Sequence, residues 1–169
     1  MRIALCFCGL VGGADGNDGK GFTLSPETAA YYYKRNIIDN NSHVDVFIHS
    51  WSIDEKDELL DIYKPKKFLI EKQKTFHPWK IFLKQFLHPI PILKLFFNGN
   101  WNVFSWIYNL SIRAQSRRYS SKKVIELSIK YQQENNFEYD LIFVTRMDVV
   151  FFEKINFTNF DKNKFYVPI

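Results

Sequence analysis

Cysteine is scarce in this sequence: Cys6 and Cys8 are its only 2. Such a pair cannot build a disulfide framework, so the fold must close without covalent staples. The two sit two positions apart in a predicted strand and point to one face, a poor geometry for bridging to each other. Reduced, buried thiols in a cytoplasmic protein are the expectation. Long apolar runs are missing too, and no stretch reaches the uninterrupted length of a membrane span. Met1 to Val11 is short, carries one Arg and runs into a Gly/Asp loop without an A-x-A-like site, so it reads as a first strand rather than a leader. An acidic excess is also lacking. The net charge of +5 suits an anionic ligand, nucleic acid or a membrane surface and selects none of them. What is present excludes disorder: 46% hydrophobic and 18% aromatic residues in 169, enough for one domain with a real core.

Glycine is sparing and local. Of 7 glycines, Gly9 lies near the end of the first predicted strand, Arg2 to Leu10, and Gly12, Gly13, Gly16, Gly19 and Gly21 crowd into the stretch that follows. Three motifs that use such a stretch are absent. A P-loop needs G-x-x-x-x-G-K-[ST]; counting back from Gly19-Lys20 gives Ala14, and Gly21 stands where the hydroxyl residue belongs. The dinucleotide pattern G-x-G-x-x-G does not occur. Asp15 to Gly19 has the flavour of a calcium loop, but its carboxylate falls one position early and the distal Glu is missing. What remains is a flexible loop able to fold over a phosphate or a sugar, or a plain mobile loop.

Along the rest of the chain, Ser25-Pro26-Glu27 opens a helix with Ser as N-cap, ending at Asn40-Asn41. Val44 to Trp51 is a second strand, Asp54 to Tyr63 a short helix and Lys67 to Ile70 a third strand. Strands alternating with helices at short spacing predict a parallel, right-handed α/β unit. Thr75 to Leu110 then mixes Trp79, Phe82, Phe86, Trp101 and Trp106 with lysines, and Pro78, Pro89 and Pro91 rule out one long helix. Such a mixture suits an interfacial membrane contact, or an insertion packing on the core or a partner. Single-stranded nucleic acid also takes aromatic and basic groups, but no module that binds it is recognisable, and none is expected as a partner.

Ser111 to Asn135 is predicted helical, with Ser116, Tyr119, Ser120 and Lys123 on one face. That stripe reads as a ligand-facing surface or as a solvated one. Leu141 to Val144 is apolar throughout, which predicts a central strand buried on both faces. Thr145, Arg146 and Asp148 emerge from its end, before Val149 to Phe152 turns apolar again. Ligands of open α/β sheets bind at the carboxyl ends of strands, which makes Arg146 and Asp148 candidates. The alternative is an Arg–Asp pair that caps the strand. His49 and Trp51 lie at the end of the second strand, where His49 reads as a satisfied interior histidine or a ligand contact. Phe165 to Ile169 reads as another strand, so the chain is expected to continue.

The segments RIALCFCGL, VDVFIHSW, SRRYSSKKVIEL and YDLIFVTRMDVVF together resemble the N-terminal part of a GT-A-type glycosyltransferase of bacterial or viral polysaccharide and glycoconjugate synthesis. The resemblance covers most of residues 1–152 apart from the aromatic insertion at 75–110. It implies a single α/β domain over 1–169, with a mostly parallel, Rossmann-like sheet flanked by helices. It further implies sugar transfer from a nucleotide-sugar donor to a glycan or lipid-linked acceptor, in the cytoplasm or peripherally at a membrane. Gly9, Gly12, Gly13, His49, Trp51, Ser116, Tyr119, Ser120 and Lys123 would line the donor site. The family's D-x-D pair holds Mg²⁺ or Mn²⁺ with the donor diphosphate; here the triplet is Arg146-Met147-Asp148. Asp148 is thus the expected metal ligand, and Arg146 stands where the first carboxylate would be. A non-catalytic module binding carbohydrate or a partner on this scaffold is the other expectation.

Overall fold

The computed structural model describes residues 1–11, 26–76 and 101–161, the stretch 101–111 by its backbone alone. Gly12, Gly13, the expected cap Ser25, Pro78 to Pro91 and the Phe165–Ile169 segment lie outside the described residues. The chain divides into two compact units: Met1–Lys72 with Ser120–Ile169, and Gln73–Tyr119.

The first unit is built on a four-stranded sheet of β1 (Ile3–Gly9), β2 (Val44–Ser50), β3 (Lys67–Ile70) and β4 (Leu141–Arg146), in the order β3-β2-β1-β4. Every pairing is parallel, with Ile3 opposite Val44 and Leu141, and Cys8 opposite His49 and Arg146. Among the described residues the α-helices are α1 (Pro26–Tyr33), α2 (Lys56–Tyr63) and α3 (Trp101–Glu134). The expected parallel, Rossmann-like α/β architecture is therefore present.

Side chains alternate across a strand, and β1 uses both faces. Ile3, Leu5 and Phe7 join Val46 and Ile48 in a core with Ala29, Ala30, Tyr33 and Ile37 of the first helical segment and Leu59 and Tyr63 of α2. Ala4, Cys6 and Cys8 face the other way, packing with Phe47 and Val124 and, at their margin, Leu127 and Tyr131 of α3. Helices thus cover both faces, as a parallel sheet requires. Phe7 meets Tyr33 edge-on, with ring centres 4.6 Å apart, and Tyr63 at 4.8 Å. Truncating a buried Phe so placed typically costs about 3–5 kcal/mol.

Three expectations are corrected. Leu141–Val144 is not central: among the described residues β4 lies at the sheet edge, and Ile142 is 37% exposed. The strands buried on both faces are β1 and the inner end of β2, each with neighbours on either side. An unbroken apolar run such as LIFV reports β propensity and partial burial, not place in the sheet. The long helix begins at Trp101 rather than Ser111. Trp101 to Leu110 carries neither Pro nor Gly, so the helix extends back into the aromatic stretch as far as the breakers allow. The helix expected to run to Asn40 changes type on the way. Lys34–Ile38 is a π turn closed by Asp39 N–H on Lys34 O at 2.8 Å. Beyond β4, Val149 to Phe152 forms no strand, and Phe152 is 78% exposed.

Cys6 and Cys8 form no disulfide and are buried on one face, as expected. Desolvation pushes the Cys6 thiol up to about 12.

Candidate functional site

Strand order decides where a ligand would sit. From β1 the chain proceeds outward through β2 to β3, then returns by way of α3 to place β4 on the opposite side of β1. The order reverses between β1 and β4, and in open α/β sheets the carboxyl ends at that reversal border the ligand crevice. Those ends are Gly9 and Arg146.

At the β4 end, Arg146 and Asp148 pair with each other. Arg146 Nε donates to Asp148 Oδ1 at 2.6 Å, and Nη2 donates to Oδ2. This side-on fork is the strong, bidentate form of the interaction. It holds the guanidinium charged well up the scale; the side chain is 47% exposed, and the fork does not use Nη1. Beneath the pair, the buried Tyr33 hydroxyl donates to Arg146 O at 2.7 Å and lies 3.0 Å from Thr145 Oγ1. Burial raises the Tyr33 hydroxyl beyond the ordinary tyrosine range.

At the β1 end, Gly9 adopts φ +106°, a region that side-chain-bearing residues avoid. A Cβ built there meets nothing within 4 Å among the described residues. Its backbone is fastened on several sides. Gly9 O accepts from Ser50 Oγ at 2.9 Å and from Trp51 N–H at 3.3 Å, while Ser52 Oγ accepts from Val11 N–H at 3.0 Å. Gly9 N–H donates to Ser120 Oγ at 3.0 Å, bringing in α3.

Ser120 also meets His49: Oγ and Nδ1 are 2.7 Å apart, and His49 Nε2 lies 3.3 Å from Glu71 Oε1. His49 is wholly buried, edge-on to Trp51 at 4.7 Å. Serine, histidine and carboxylate in series superficially suggest nucleophilic catalysis. The placement argues against it, because Ser120 is itself buried and its oxygen already accepts from Gly9. This array organises the strand ends from within.

No protein-family model, curated protein or solved structure matches this chain.

Of the other expected site residues, Lys123 and Tyr119 have partners of their own. Lys123 pairs with Glu126 at 2.8 Å on the exposed side of α3. Ser116 and Tyr119 belong to the Gln73–Tyr119 unit, where Lys74 Nζ donates to the Tyr119 hydroxyl and Phe76 stacks near its ring. The structure thus brings Gly9, His49, Trp51 and Ser120 together at the β1–β2 end, and Arg146 with Asp148 at the end of β4. Glu71, Ser50 and Ser52 were missed by sequence reasoning. A Ser on each side of Trp51 was the available signal.

Asparagines were missed as well. Asn36 Nδ2 donates to Phe151 O at 2.6 Å, Asn40 and Asn41 donate to Ile155 O, and Asn41 Oδ1 accepts from Phe157 N–H at 3.0 Å. These side chains clamp the extended segment after Asp148, which has no ladder of its own.

Whether Asp148 fits a divalent metal depends on its donors. Both of its oxygens are engaged by Arg146, and among the described residues no group of three or more His, Cys, Asp or Glu could hold an ion. A lone carboxylate paired to a cation does not fit a resident Mg²⁺ or Mn²⁺.

Proposed function

We propose that the chain is a GT-A-like glycosyltransferase that binds a nucleotide-sugar at the carboxyl ends of β1 and β4. The observation carrying this reading is the coincidence, at the reversal of strand order, of a glycine pivot with open space among the described residues and a half-exposed Arg–Asp fork. Gly9 admits close approach of a ligand to the backbone. Arg146 presents its Nη1 edge to the donor diphosphate, and Asp148 holds the guanidinium in place while offering its oxygens to sugar hydroxyls.

In the transfer, an acceptor oxygen bonds to the anomeric carbon while the bond from that carbon to the diphosphate oxygen breaks. The acceptor's hydroxyl proton leaves with a base, and the nucleoside diphosphate departs with the electron pair. Negative charge grows on the leaving diphosphate, and a fixed guanidinium stabilises it without reorganisation. Since the donors at Asp148 do not fit a resident metal, Arg146 takes the role of charge neutralisation. The acceptor is a glycan or a lipid-linked saccharide met in the cytoplasm or at a membrane surface. Among the described residues no helix is long and apolar enough to cross a membrane.

Calorimetric titration with UDP- and GDP-sugars, with and without Mn²⁺, tests this. Binding that needs no Mn²⁺ and weakens at least tenfold in Arg146→Ala and Asp148→Ala supports it. Unchanged affinity in both variants sinks it. A second reading, a carbohydrate-binding module without transfer, draws on the mutual neutralisation of Arg146 and Asp148. Product formation from any bound nucleotide-sugar excludes that alternative.

A further inference from the structure

We propose that Ser120 is a positioning residue that fixes the Gly9 pivot and holds neutral His49 in its Nε2–H tautomer. The inference stands independently of sugar transfer. Its basis is the proton accounting of the buried array joining α3, β1, β2 and the residue after β3.

Gly9 N–H reaches Ser120 Oγ at 3.0 Å, so that oxygen is an acceptor. A hydroxyl that accepts still has one proton to give, and His49 Nδ1 lies 2.7 Å away. Donating there makes Nδ1 the acceptor and leaves the ring proton of a neutral imidazole on Nε2. Glu71 Oε1, 3.3 Å from Nε2, is a carboxylate oxygen suited to receive that proton. The three contacts then run in one direction: Gly9 N–H to Ser120, Ser120 O–H to His49, His49 Nε2–H to Glu71. Along this line Gly9, Ser120 and His49 each donate once, and successive bonds of that kind polarise one another.

The array has a structural purpose at each end. Gly9 ends β1 opposite Ser50 of β2, and Ser120 adds a side-chain acceptor for its amide there. Gly9 is also where φ becomes positive and the chain turns out of the sheet. At the far end, Glu71 N–H donates to Ser50 O at 3.1 Å, and Ser50 Oγ returns to Gly9 O at 2.9 Å. His49 and Ser50, adjacent in β2, thus tie the ends of β3 and β1 together by side-chain and main-chain routes. Losing the Ser120 hydroxyl breaks the array at its centre: the Gly9 amide loses its side-chain acceptor and the histidine loses the donor that selects its tautomer.

Nitrogen-15 and proton NMR of the imidazole in the whole chain tests this without any nucleotide. The unmodified protein should show His49 protonated at Nε2 alone near neutral pH. Either an Nδ1–H tautomer or an imidazolium there overturns the proposal, with no variant needed. In Ser120→Ala, the Gly9 amide should exchange with solvent about tenfold faster, with the Phe7 amide little changed, and an Nδ1–H resonance should gain population. Ser120→Thr, which keeps the hydroxyl, should restore both signatures. Slow Gly9 exchange and an unaltered tautomer in Ser120→Ala would refute the role.

Discussion

Replacing Tyr33 by Phe removes one oxygen from the interior and leaves the ring where it is. That ring is held by Phe7 at 4.6 Å and Phe151 at 5.7 Å, so packing should survive the change. The oxygen takes part in two hydrogen bonds. Its proton goes to Arg146 O at 2.7 Å, which leaves the Thr145 hydroxyl, at 3.0 Å, as donor to the phenol oxygen. The Tyr33→Phe substitution would leave a strand-end carbonyl without its donor and a buried Thr without its acceptor. Each net hydrogen bond contributes about 0.5–1.5 kcal/mol, and the two together should be worth about 2 kcal/mol. Urea unfolding at an m-value of about 2 kcal/mol/M should then show a midpoint about 1 M lower with an unchanged slope. A loss below about 0.5 kcal/mol, the scatter of neutral substitutions, would refute the claim that this hydroxyl secures the end of β4.

Asn36→Ala should cost about 1–3 kcal/mol by orphaning Phe151 O, and Asn36→Asp should cost more, since a carboxylate oxygen would face that carbonyl; equilibrium unfolding measures both. Stability should decline on the alkaline side. The folded Cys6 thiol is pushed to about 12, above an unfolded value of about 8.5, so its contribution is complete below about pH 8.5 and is lost as pH climbs to about 12. The unfolded state releases that proton first, giving a slope of up to about 1.4 kcal/mol per pH unit in that window, with Tyr33 and Tyr63 adding the same sign above about pH 10. For the same reason Cys6 should resist a thiol-alkylating reagent in the folded protein and react on unfolding; prompt labelling under native conditions would contradict its burial. Phe152→Ser should cost about 0.5–1.5 kcal/mol in equilibrium unfolding and no more, because the side chain is 78% exposed and its ring partner is the edge-on Tyr32 at 5.4 Å.

Much of the scaffold was legible because the relevant signals are local. β1, β2 and β3 fall where short apolar runs are bounded by turn residues, and the alternation of strand and helix led correctly to a parallel sheet. Place within the sheet was not legible, as LIFV shows: an edge strand of a covered sheet can be as apolar as a central one. The candidate site divided along the same line. Arg146 and Asp148 were visible because a strand end two residues from a carboxylate is a local pattern. Glu71 was not, since nothing near Ile70 announces that its side chain meets His49. Asn40-Asn41 was read as a helix stop, which is what such residues signal locally; their use as a clamp for residues far along the chain depends on tertiary approach alone.

The π turn at Lys34–Ile38 has a consequence for how this chain tolerates changes in length. By closing from Asp39 back to Lys34, the turn carries one residue more than an α-turn would, and Asn36 O is spent on Ile155 N–H at 2.9 Å. A single-residue deletion in this segment would convert it to regular helix and reclaim that carbonyl for the helix's own ladder. Everything after the deletion would also rotate by about a quarter turn or more about the axis, at 3.6 residues per turn. Asn40 and Asn41 would then swing away from Ile155 and Phe157, and the segment beyond Asp148 would lose its anchors together. The widened turn behaves as an inserted letter that keeps two distant reading frames in phase, so deletions here should be far less tolerated than substitutions.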